Sequence, residues 1–414
     1  MRSYFSQFSR NARLFLLAIV VNGVTLSGLQ LFLNLYLRGR GVSLDFIGLM
    51  NALPSAAGLV VGVPAGYLVD RLGRRMSMLV GLSFSTLAAC VMVTARAPAL
   101  MVLAACGKGT GDMLFLLSQA PFMMHVAGPK ERTLLFSLSW GLQTISGAVG
   151  DLLAGQLPGW FGAWLRVGAD SAAAYQAVLL AGVLAGGLAL IPLWLIFEQR
   201  QPEPVHASAG GWGSLRLLVR PATLRLAAPN FITGLGAAIL VPYMNLFFRG
   251  RYLTPDASLG ALFSLSSALI GVGTLVGPSL AGRLGGKIKA VVLTQGVSVF
   301  FLLVLGFASN FWLAAAAFLL RAALMNMAAP LYSAFVMEHA PEGERGAVNS
   351  VMQTVWNVGW AVGPYVSGAV QQQWGFTPLF VATAVLYASA IGLTWQLFHA
   401  AEGRAVPAAA ALQP

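Results

Sequence analysis

The sequence predicts an all-α membrane protein with twelve transmembrane helices arranged as two six-helix, pseudo-symmetric bundles. Three observations lead to this prediction: an apolar composition, a series of twelve apolar segments, and an internal repeat whose period covers six of those segments.

The composition is that of a protein embedded in lipid. Hydrophobic residues make up 57% of the 414 positions and charged residues only 9%, whereas soluble domains carry about 25% charged residues. The chain therefore lacks the polar surface that a water-soluble fold requires. Its 47 glycines fit the same environment, because small residues let transmembrane helices approach closely.

Twelve apolar segments of membrane-spanning length follow one another along the chain, since one span needs about 20 apolar residues. Their expected bounds are 12–37, 44–69, 76–95, 98–126, 133–158, 172–197, 223–248, 258–282, 288–308, 311–338, 346–370 and 376–398. A polar connection rich in Pro and Gly separates the sixth segment from the seventh and is typical of a flexible linker. The predicted organisation is an N-terminal bundle at 1–197, a cytoplasmic linker at 198–222, a C-terminal bundle at 223–398 and a cytoplasmic tail at 399–414.

Positive charges divide unequally between the two sides of the predicted membrane. If the N-terminus is inside, the segments on that side carry 17 Lys and Arg and the opposite loops carry six, while Lys108 and Arg321 lie within spans. Because an excess of Lys and Arg marks the cytoplasmic side, we expect a multi-pass protein of the cell inner membrane with both termini cytoplasmic. The net charge of +12 then reflects topology, and no nucleic-acid partner is expected.

The two halves of the chain repeat each other at a nearly constant offset. The segment Asn34–Arg40 (NLYLRGR) recurs as Asn245–Arg251 (NLFFRGR), 211 positions later, and further landmarks recur in the same order. An offset of six spans keeps both halves in the same orientation and predicts a pseudo-twofold axis along the membrane normal. Asn34 and Asn245 fall near the outer ends of their spans, where we expect each to hold a turn.

The connection between the second and third segments carries the most specific motif of the chain, GYLVDRLGRR at 66–75. It resembles the G-x-L-x-D-R-x-G-R-[RK] signature of the major facilitator superfamily, and the resemblance extends from residue 12 to about 398. The resemblance implies two rocking bundles and a conformational latch that locks the outward-open state, formed by Gly66, Asp70, Arg71, Gly73, Arg74 and Arg75. By chemistry alone, Asp70 can cap a helix or pair with an arginine, and the arginines can equally serve only as topology markers. The second half has Gly282 in place of Asp70, so the latch should be asymmetric.

Four ionisable residues stand out deep within the predicted spans: Lys108, Asp112, Asp151 and Arg321. Charge at membrane depth is costly and marks functional sites. The resemblance implies that spans one, four, seven and ten line a central cavity. Lys108 and Asp112 are four residues apart on span four, so they share a helix face and can pair; a purely structural ion pair remains the alternative.

The acid at 151 and the cation at 321 call for separate interpretations. Asp151 lies within a glycine-rich stretch, 147–155, that resembles the span-five motif of drug:proton antiporters with Asp in place of the usual Pro. Asp151 and Asp112 are therefore the candidate proton-coupling residues, although Asp151 can equally be a structural acid. Arg321 needs an acidic partner or a bound anion, which predicts a neutral or anionic substrate, unless it bonds to backbone carbonyls or water.

The residues expected to line the substrate cavity are Lys108, Asp112, Arg321, Asn22, Asn326, Gln353, Asn357 and Trp356.

The sequence also limits the class of function. It contains no HExxH, GxSxG or GxxxxGK[ST] motif, which argues against an enzyme and against an ATP-driven pump. No cofactor or metal is expected. We predict a monomeric secondary active transporter of a small solute, working by alternating access and coupled to protons, with efflux of amphipathic or drug-like compounds favoured. Two alternatives stay open: uptake of a neutral or anionic metabolite by symport or uniport, and a non-transporting membrane receptor.

The predicted topology leads to a direct test with reporter fusions. A reporter inserted after Arg40 should report the outside, and one inserted between Pro204 and Gly211 should report the cytoplasm, because the Lys and Arg count places these segments on opposite sides. Alkaline phosphatase and green fluorescent protein fusions measure the two locations. The reverse pattern would contradict the predicted orientation.

Overall fold

The computed structural model describes residues 8–128, 131–197, 220–341 and 344–402. Within these ranges the chain forms twelve long helices and no strand. The helices are α1 Arg10–Gly39, α2 Leu44–Leu72, α3 Arg74–Thr94, α4 Pro98–Val126, α5 Arg132–Leu165, α6 Ala172–Trp194, α7 Pro221–Tyr252, α8 Asp256–Leu284, α9 Lys287–Phe307, α10 Phe311–His339, α11 Arg345–Trp374 and α12 Thr377–Glu402. Most of the predicted linker (198–222) and tail (399–414) lies outside the described residues.

The surface of the helices fits a bilayer. Ten of the described helices are long and apolar enough to cross a membrane, and a helix satisfies its own backbone hydrogen bonds in lipid. The other two, α5 and α11, are more polar and pack against helices of the opposite bundle. Exposed tryptophans lie near both ends of the helices, as in the interfacial belts of membrane proteins: Trp160, Trp164, Trp312 and Trp374 at one end, and Trp140, Trp194 and Trp395 at the other.

The helices form two bundles with equivalent internal packing, as the sequence repeat predicts. In the first bundle α3 packs on α4 and α1 packs on α5; in the second, α9 packs on α10 and α7 packs on α11. The bundles meet along two seams, α2 against α11 and α5 against α8. These seams are equivalent under the repeat, because α2 corresponds to α8 and α5 corresponds to α11.

Three helices differ from their predicted form. Helix α7 is broken by a 3₁₀ turn at Val241–Tyr243, because Pro242 has no N–H with which to continue the α-helical hydrogen bonds. Helix α6 is interrupted after Gly187 and resumes as Leu190–Trp194. Helix α5 runs past its predicted end at 158 to Leu165, with Pro158 inside the helix. Transmembrane helices tolerate such prolines when neighbouring groups satisfy the backbone.

Glycine brings α4 close to its neighbours within the first bundle. A Cβ atom at Gly109 would lie only 2.5 Å from Cα of Pro54 in α2, and one at Gly111 would lie 2.6 Å from the carbonyl oxygen of Gly81 in α3. Both approaches require a residue without a side chain. They fix the position of this turn of α4, in which Lys108 and Asp112 flank the two glycines.

Substitution of Gly109 by alanine should therefore lower the thermal stability of the protein. The added methyl would overlap the backbone of Pro54, and overpacking of this kind costs about 1–3 kcal/mol. The melting temperature of the purified protein in detergent measures the effect. Gly296→Ala is the control, because a Cβ at Gly296 would meet nothing within 4 Å. Equal melting temperatures for the two variants would contradict tight packing of α2 on α4.

Candidate functional site

A chamber of about 800 Å³ lies between the two bundles, within the range of about 300–1,000 Å³ that ligand sites usually occupy. Helices α1, α4, α7 and α10 contribute to its walls, together with α2, α5, α8 and α11 along the seams and a few residues of α3, α9 and α12. Its lining extends to Met337 and Asn349, near the end of the protein that carries the α2–α3 and α8–α9 loops. We call this end the motif end, and the opposite end, with the α1–α2 and α7–α8 loops, the sealed end.

A reciprocal pair of asparagines closes the chamber at the sealed end. Asn34 of α1 donates to the carbonyl of Pro242 at 2.6 Å, and Asn245 of α7 donates to the carbonyl of Leu31 at 2.7 Å. The two side chains also meet each other at 3.4 Å. Donors and acceptors are related by the same 211-residue offset, so the interaction obeys the pseudo-twofold axis. The sequence predicted a structural role in a turn for both asparagines; in the structure both are buried and join the two bundles.

A network of charged residues joins the bundles at the same end. Tyr175 of α6 donates to Asp256 at the start of α8, at 3.0 Å. Arg249 of α7 lies 3.7 Å from Asp256 and 3.6 Å from Asp170 in the α5–α6 loop. Asp256 is only 8% exposed, and sequence analysis did not single it out because it falls at a span boundary. Its position in the first turn of α8 was the one feature of the sequence that could have identified it, because a negative charge there interacts favourably with the helix dipole.

Glycine pairs bring the helices of both seams together beside this network. A Cβ atom at Gly155 of α5 would lie 2.8 Å from Cα of Gly260 in α8. On the other seam, a Cβ at Gly368 of α11 would lie 3.0 Å from Cα of Gly48 in α2. The two contacts are copies of one another in the repeat. Leu44 of α2 also donates its N–H to Gln372 of α11, at 3.0 Å.

All four ionisable residues predicted at membrane depth line the chamber. Lys108 and Asp112 form an ion pair with Nζ and Oδ2 2.5 Å apart, and Ser85 of α3 donates to the other carboxylate oxygen at 2.5 Å. Lys108 is nearly buried, whereas 46% of the Asp112 side chain is exposed in the chamber. The pair is therefore neutral overall, with its carboxylate accessible to a solute.

Asp151 lies on the seam between the bundles. Its side chain is buried, with 6% of the residue exposed, and it accepts a hydrogen bond from Ser267 of α8 at 3.4 Å. Within the described residues no cation lies within salt-bridge distance of it. A carboxyl group that bonds across the seam can respond both to protons in the chamber and to movement of the bundles. The alternative role of a structural acid is compatible with the same contact.

Arg321 is 4% exposed and lies in α10 with its backbone carbonyl held by Ser298 at 3.1 Å. Its Nη2 reaches the hydroxyl of Tyr387 in α12 at 3.4 Å, while its Nε has no acceptor among the described residues. An unmade hydrogen bond on a buried group costs about 1–3 kcal/mol, and more on a charged one. The acidic partner that the sequence suggested is not found in the described part of the chain, nor is a backbone carbonyl bound to the guanidinium.

Of the other predicted cavity residues, Asn326, Gln353 and Trp356 line the chamber, whereas Asn22 and Asn357 do not. The lining of α1 begins at Leu26, one turn beyond Asn22. On α11 it follows a helical stripe through Asn349, Gln353, Trp356 and Trp360, which leaves Asn357 at the edge. Tyr387 and Gln295 also line the chamber, and they could not be predicted because single polar residues on the outer helices give no periodic signal in the sequence.

The 66–75 motif forms the turn between α2 and α3. Gly73, with φ +84°, lets the chain reverse there, and Gly66 lies within α2. Arg75 donates to the carbonyls of Leu193 and Trp194 at the end of α6. Arg71 stacks over the ring of Tyr67 at 5.5 Å, and Arg74 begins α3.

Asp70 is exposed at the end of α2. No hydrogen bond or ion pair to its carboxylate is found within the described residues. In this conformation, with the chamber lining reaching the motif end, the carboxylate does not hold α2 to the other bundle.

Comparison with known proteins agrees with this architecture. The family profile of the Major Facilitator Superfamily matches residues 15–364 and 226–411. The MFS-type transporter YhhS of Escherichia coli (strain K12) is 24% identical over 376 residues, which cover 86% of this chain and 84% of YhhS. Multidrug resistance protein MdtG of Rahnella sp. (strain Y9602) is 27% identical over 161 residues, only 37% of this chain and 38% of MdtG.

A solved structure shows the same fold. A bacterial homologue of the human lysosomal transporter Spinster, in an inward-facing and occupied conformation, superposes with a TM-score of 0.78 at 14% identity, covering 98% of this chain and 97% of that one. The profile match, the two bundles and the motif between α2 and α3 lead to one conclusion. The chain belongs to the major facilitator superfamily of membrane transporters.

Proposed function

We propose that the chain is a proton-coupled secondary transporter that exports small amphipathic or drug-like compounds by alternating access. The observation that carries this proposal is the chamber between the bundles, which is closed at one end by contacts between the bundles and lined by the four membrane-depth charges. A solute in such a chamber gains access to the other side when the contacts at the sealed end separate and those at the motif end form. No nucleotide-binding motif is present in the sequence, so an ion gradient is the available driving force.

The motif end is cytoplasmic in this proposal, because its segments carry most of the Lys and Arg. The conformation described here is then open to the cytoplasm. The sealed-end contacts stabilise it, and Asp70, Arg71, Arg74 and Arg75 stabilise the opposite, outward-open conformation. The missing partner of Asp70 among the described residues supports this division of roles, since a latch for the closed motif end should be released here.

Asp151 is the preferred proton-binding residue, and Asp112 is the second candidate. Asp151 lacks a cationic partner within the described residues and bonds to Ser267 across a seam that must change in alternating access. Protonation of the Asp151 carboxylate would make it a weaker hydrogen-bond acceptor for Ser267 and so alter the contact between α5 and α8. Asp112 is neutralised by Lys108, so a proton there would first have to separate an ion pair.

Export is favoured because the chain matches part of a multidrug resistance protein and resembles the antiporter motif at 147–155. Uptake of a neutral or anionic metabolite is the second candidate, and Arg321 on the chamber wall is the observation that favours it. The protein works as a monomer in this proposal, since each chain holds a complete chamber.

Asp151→Asn should abolish uphill transport and leave solute binding intact, because the amide keeps the shape of the carboxyl group but cannot exchange a proton. Wild type and variant are compared in proteoliposomes with an imposed pH gradient. The probes are radiolabelled tetraphenylphosphonium, chloramphenicol and 1-naphthylacetate, and binding is measured without a gradient.

Asp45→Asn is the matched control, because Asp45 is exposed at the start of α2 and does not line the chamber. Asp112→Asn tests the second candidate in the same way. Unchanged proton-driven accumulation in both Asp151→Asn and Asp112→Asn would refute proton coupling through these acids. No accumulation of any probe by wild type would count against the proposed function.

Arg249→Gln should weaken the sealed end, because it removes the cation that lies between Asp170 and Asp256. The yield of disulfide between Leu44→Cys and Gln372→Cys, in a background with Cys90 and Cys106 replaced by serine, reports closure of that end. We expect a lower yield in Arg249→Gln.

Arg251→Gln is the control, since Arg251 bonds to Ala308 within its own bundle. Asp70→Asn should have the opposite effect and raise the yield, because it removes an acid whose interaction with a helix N-terminus in the outward-open conformation would be worth about 0.3–1 kcal/mol. Equal yields in Arg249→Gln and Arg251→Gln would show that the charged network does not hold the bundles together.

A further inference from the structure

Two buried hydrogen-bond donors that line the chamber have no acceptor among the described residues, and we call the wall around one of them, Arg321, the Arg321 corner. Arg321 Nε and Trp360 Nε1 are both buried and have no hydrogen-bond partner among the described residues, and both residues line the chamber. The hydroxyl of Tyr387 accepts from Arg321, and no bond in which it donates is found within the described residues. Buried donors normally have partners, so this corner lacks acceptors.

Among the described residues, no carboxylate lies within salt-bridge distance of Arg321. Lys108, on the other bundle, is neutralised by Asp112 at 2.5 Å. Asp151 lies on the α5–α8 seam, and no ion pair joins it to Arg321 within the described residues. An arginine that is 4% exposed and lacks a carboxylate therefore faces the solute space.

The walls around this corner are apolar and aromatic. Phe318 and Met325 lie on α10 with Arg321, and Trp356 lies on α11. Such surroundings suit a planar or aliphatic body and strengthen a charge-assisted hydrogen bond by excluding water. Arginine binds carboxylates through two parallel N–H groups, a geometry that lysine cannot offer.

We propose that Arg321, with Tyr387 beside it, forms a subsite for the carboxylate of an amphipathic organic anion. The guanidinium donates to the carboxylate, the Tyr387 hydroxyl adds a second donor, and the aromatic wall holds the apolar body of the solute. This inference rests on the proposed transport function for its physiological meaning, but it concerns binding alone and can be tested without transport.

The test compares three probes that share one ring system: 1-naphthylacetate, 1-naphthylacetamide and 1-naphthylmethylammonium. Their affinities for the purified full-length protein in detergent are measured by calorimetry, with no ion gradient. We expect the carboxylate to bind most tightly to wild type. Arg321→Gln should weaken carboxylate binding by about tenfold or more, as for a lost hydrogen bond to a charged group, and leave the amide little changed.

Three further variants keep the test decisive. Arg283→Gln removes the same charge from an exposed position outside the chamber and should leave all three affinities unchanged. Arg321→Lys keeps the charge but loses the two-pronged geometry, and Tyr387→Phe removes one hydroxyl; both should weaken carboxylate binding selectively even if Arg321→Gln fails to fold.

Two results would overturn the subsite. One is an ammonium or amide probe that binds wild type as tightly as the carboxylate, or a carboxylate that does not bind. The other is carboxylate affinity that survives in the folded Arg321 variants. Selective carboxylate binding without flux in proteoliposomes would instead support the subsite and count against transport, so the two proposals can fail separately.

Discussion

The structure depends on the cost of placing charge in a low-dielectric medium. A charged side chain at the centre of a bilayer costs about 2.5–3.5 kcal/mol on insertion scales, and Lys108, Asp112, Asp151 and Arg321 lie deep within the spans of this chain. None of them faces lipid: all four line the space between the bundles. The two-bundle architecture therefore provides both the polar environment that these residues need and the cavity in which a solute can meet them.

The pseudo-twofold axis explains how one end of that space is closed. Under a twofold operation a donor and its acceptor exchange roles, so a single favourable contact occurs twice. Asn34 with Pro242 and Asn245 with Leu31 are such a pair, and the Gly155–Gly260 and Gly48–Gly368 contacts are another. The charged network of Arg249 and Asp256 breaks the symmetry, because the repeat places Arg38 at the position equivalent to Arg249 but no second network of this kind is found in the described residues. The closed end thus combines a symmetric packing surface with one asymmetric electrostatic contact that can be changed independently.

Most of the fold could be predicted from the sequence, because span length, hydropathy and repeat offset are properties of the chain itself. The membrane-depth charges could be identified for the same reason, since a charge in an apolar segment is conspicuous. What the sequence could not provide was the partner of each polar group. Asn34 and Asn245 are 211 positions apart, and only the fold brings them together. The break in α7 at Pro242 shows the same limit: a proline signals a weak point in a helix, but not that its carbonyl will accept a hydrogen bond from the other bundle.

In the proposed mechanism, the charges of Asp151 and Arg321 link the substrate to the direction of transport. Both line one chamber, where opposite charges favour each other's binding and like charges oppose it. A cationic solute would compete with a proton for the vicinity of Asp151, so proton and solute would occupy the chamber alternately, as exchange and export require. An anionic solute at Arg321 would instead bind better when Asp151 is protonated, so proton and solute would travel together, as uptake by symport requires. The sign of the charge on the solute therefore decides between the two candidate functions, through the reciprocity that any two coupled binding sites must obey: selective carboxylate binding at Arg321 would favour uptake by symport over export.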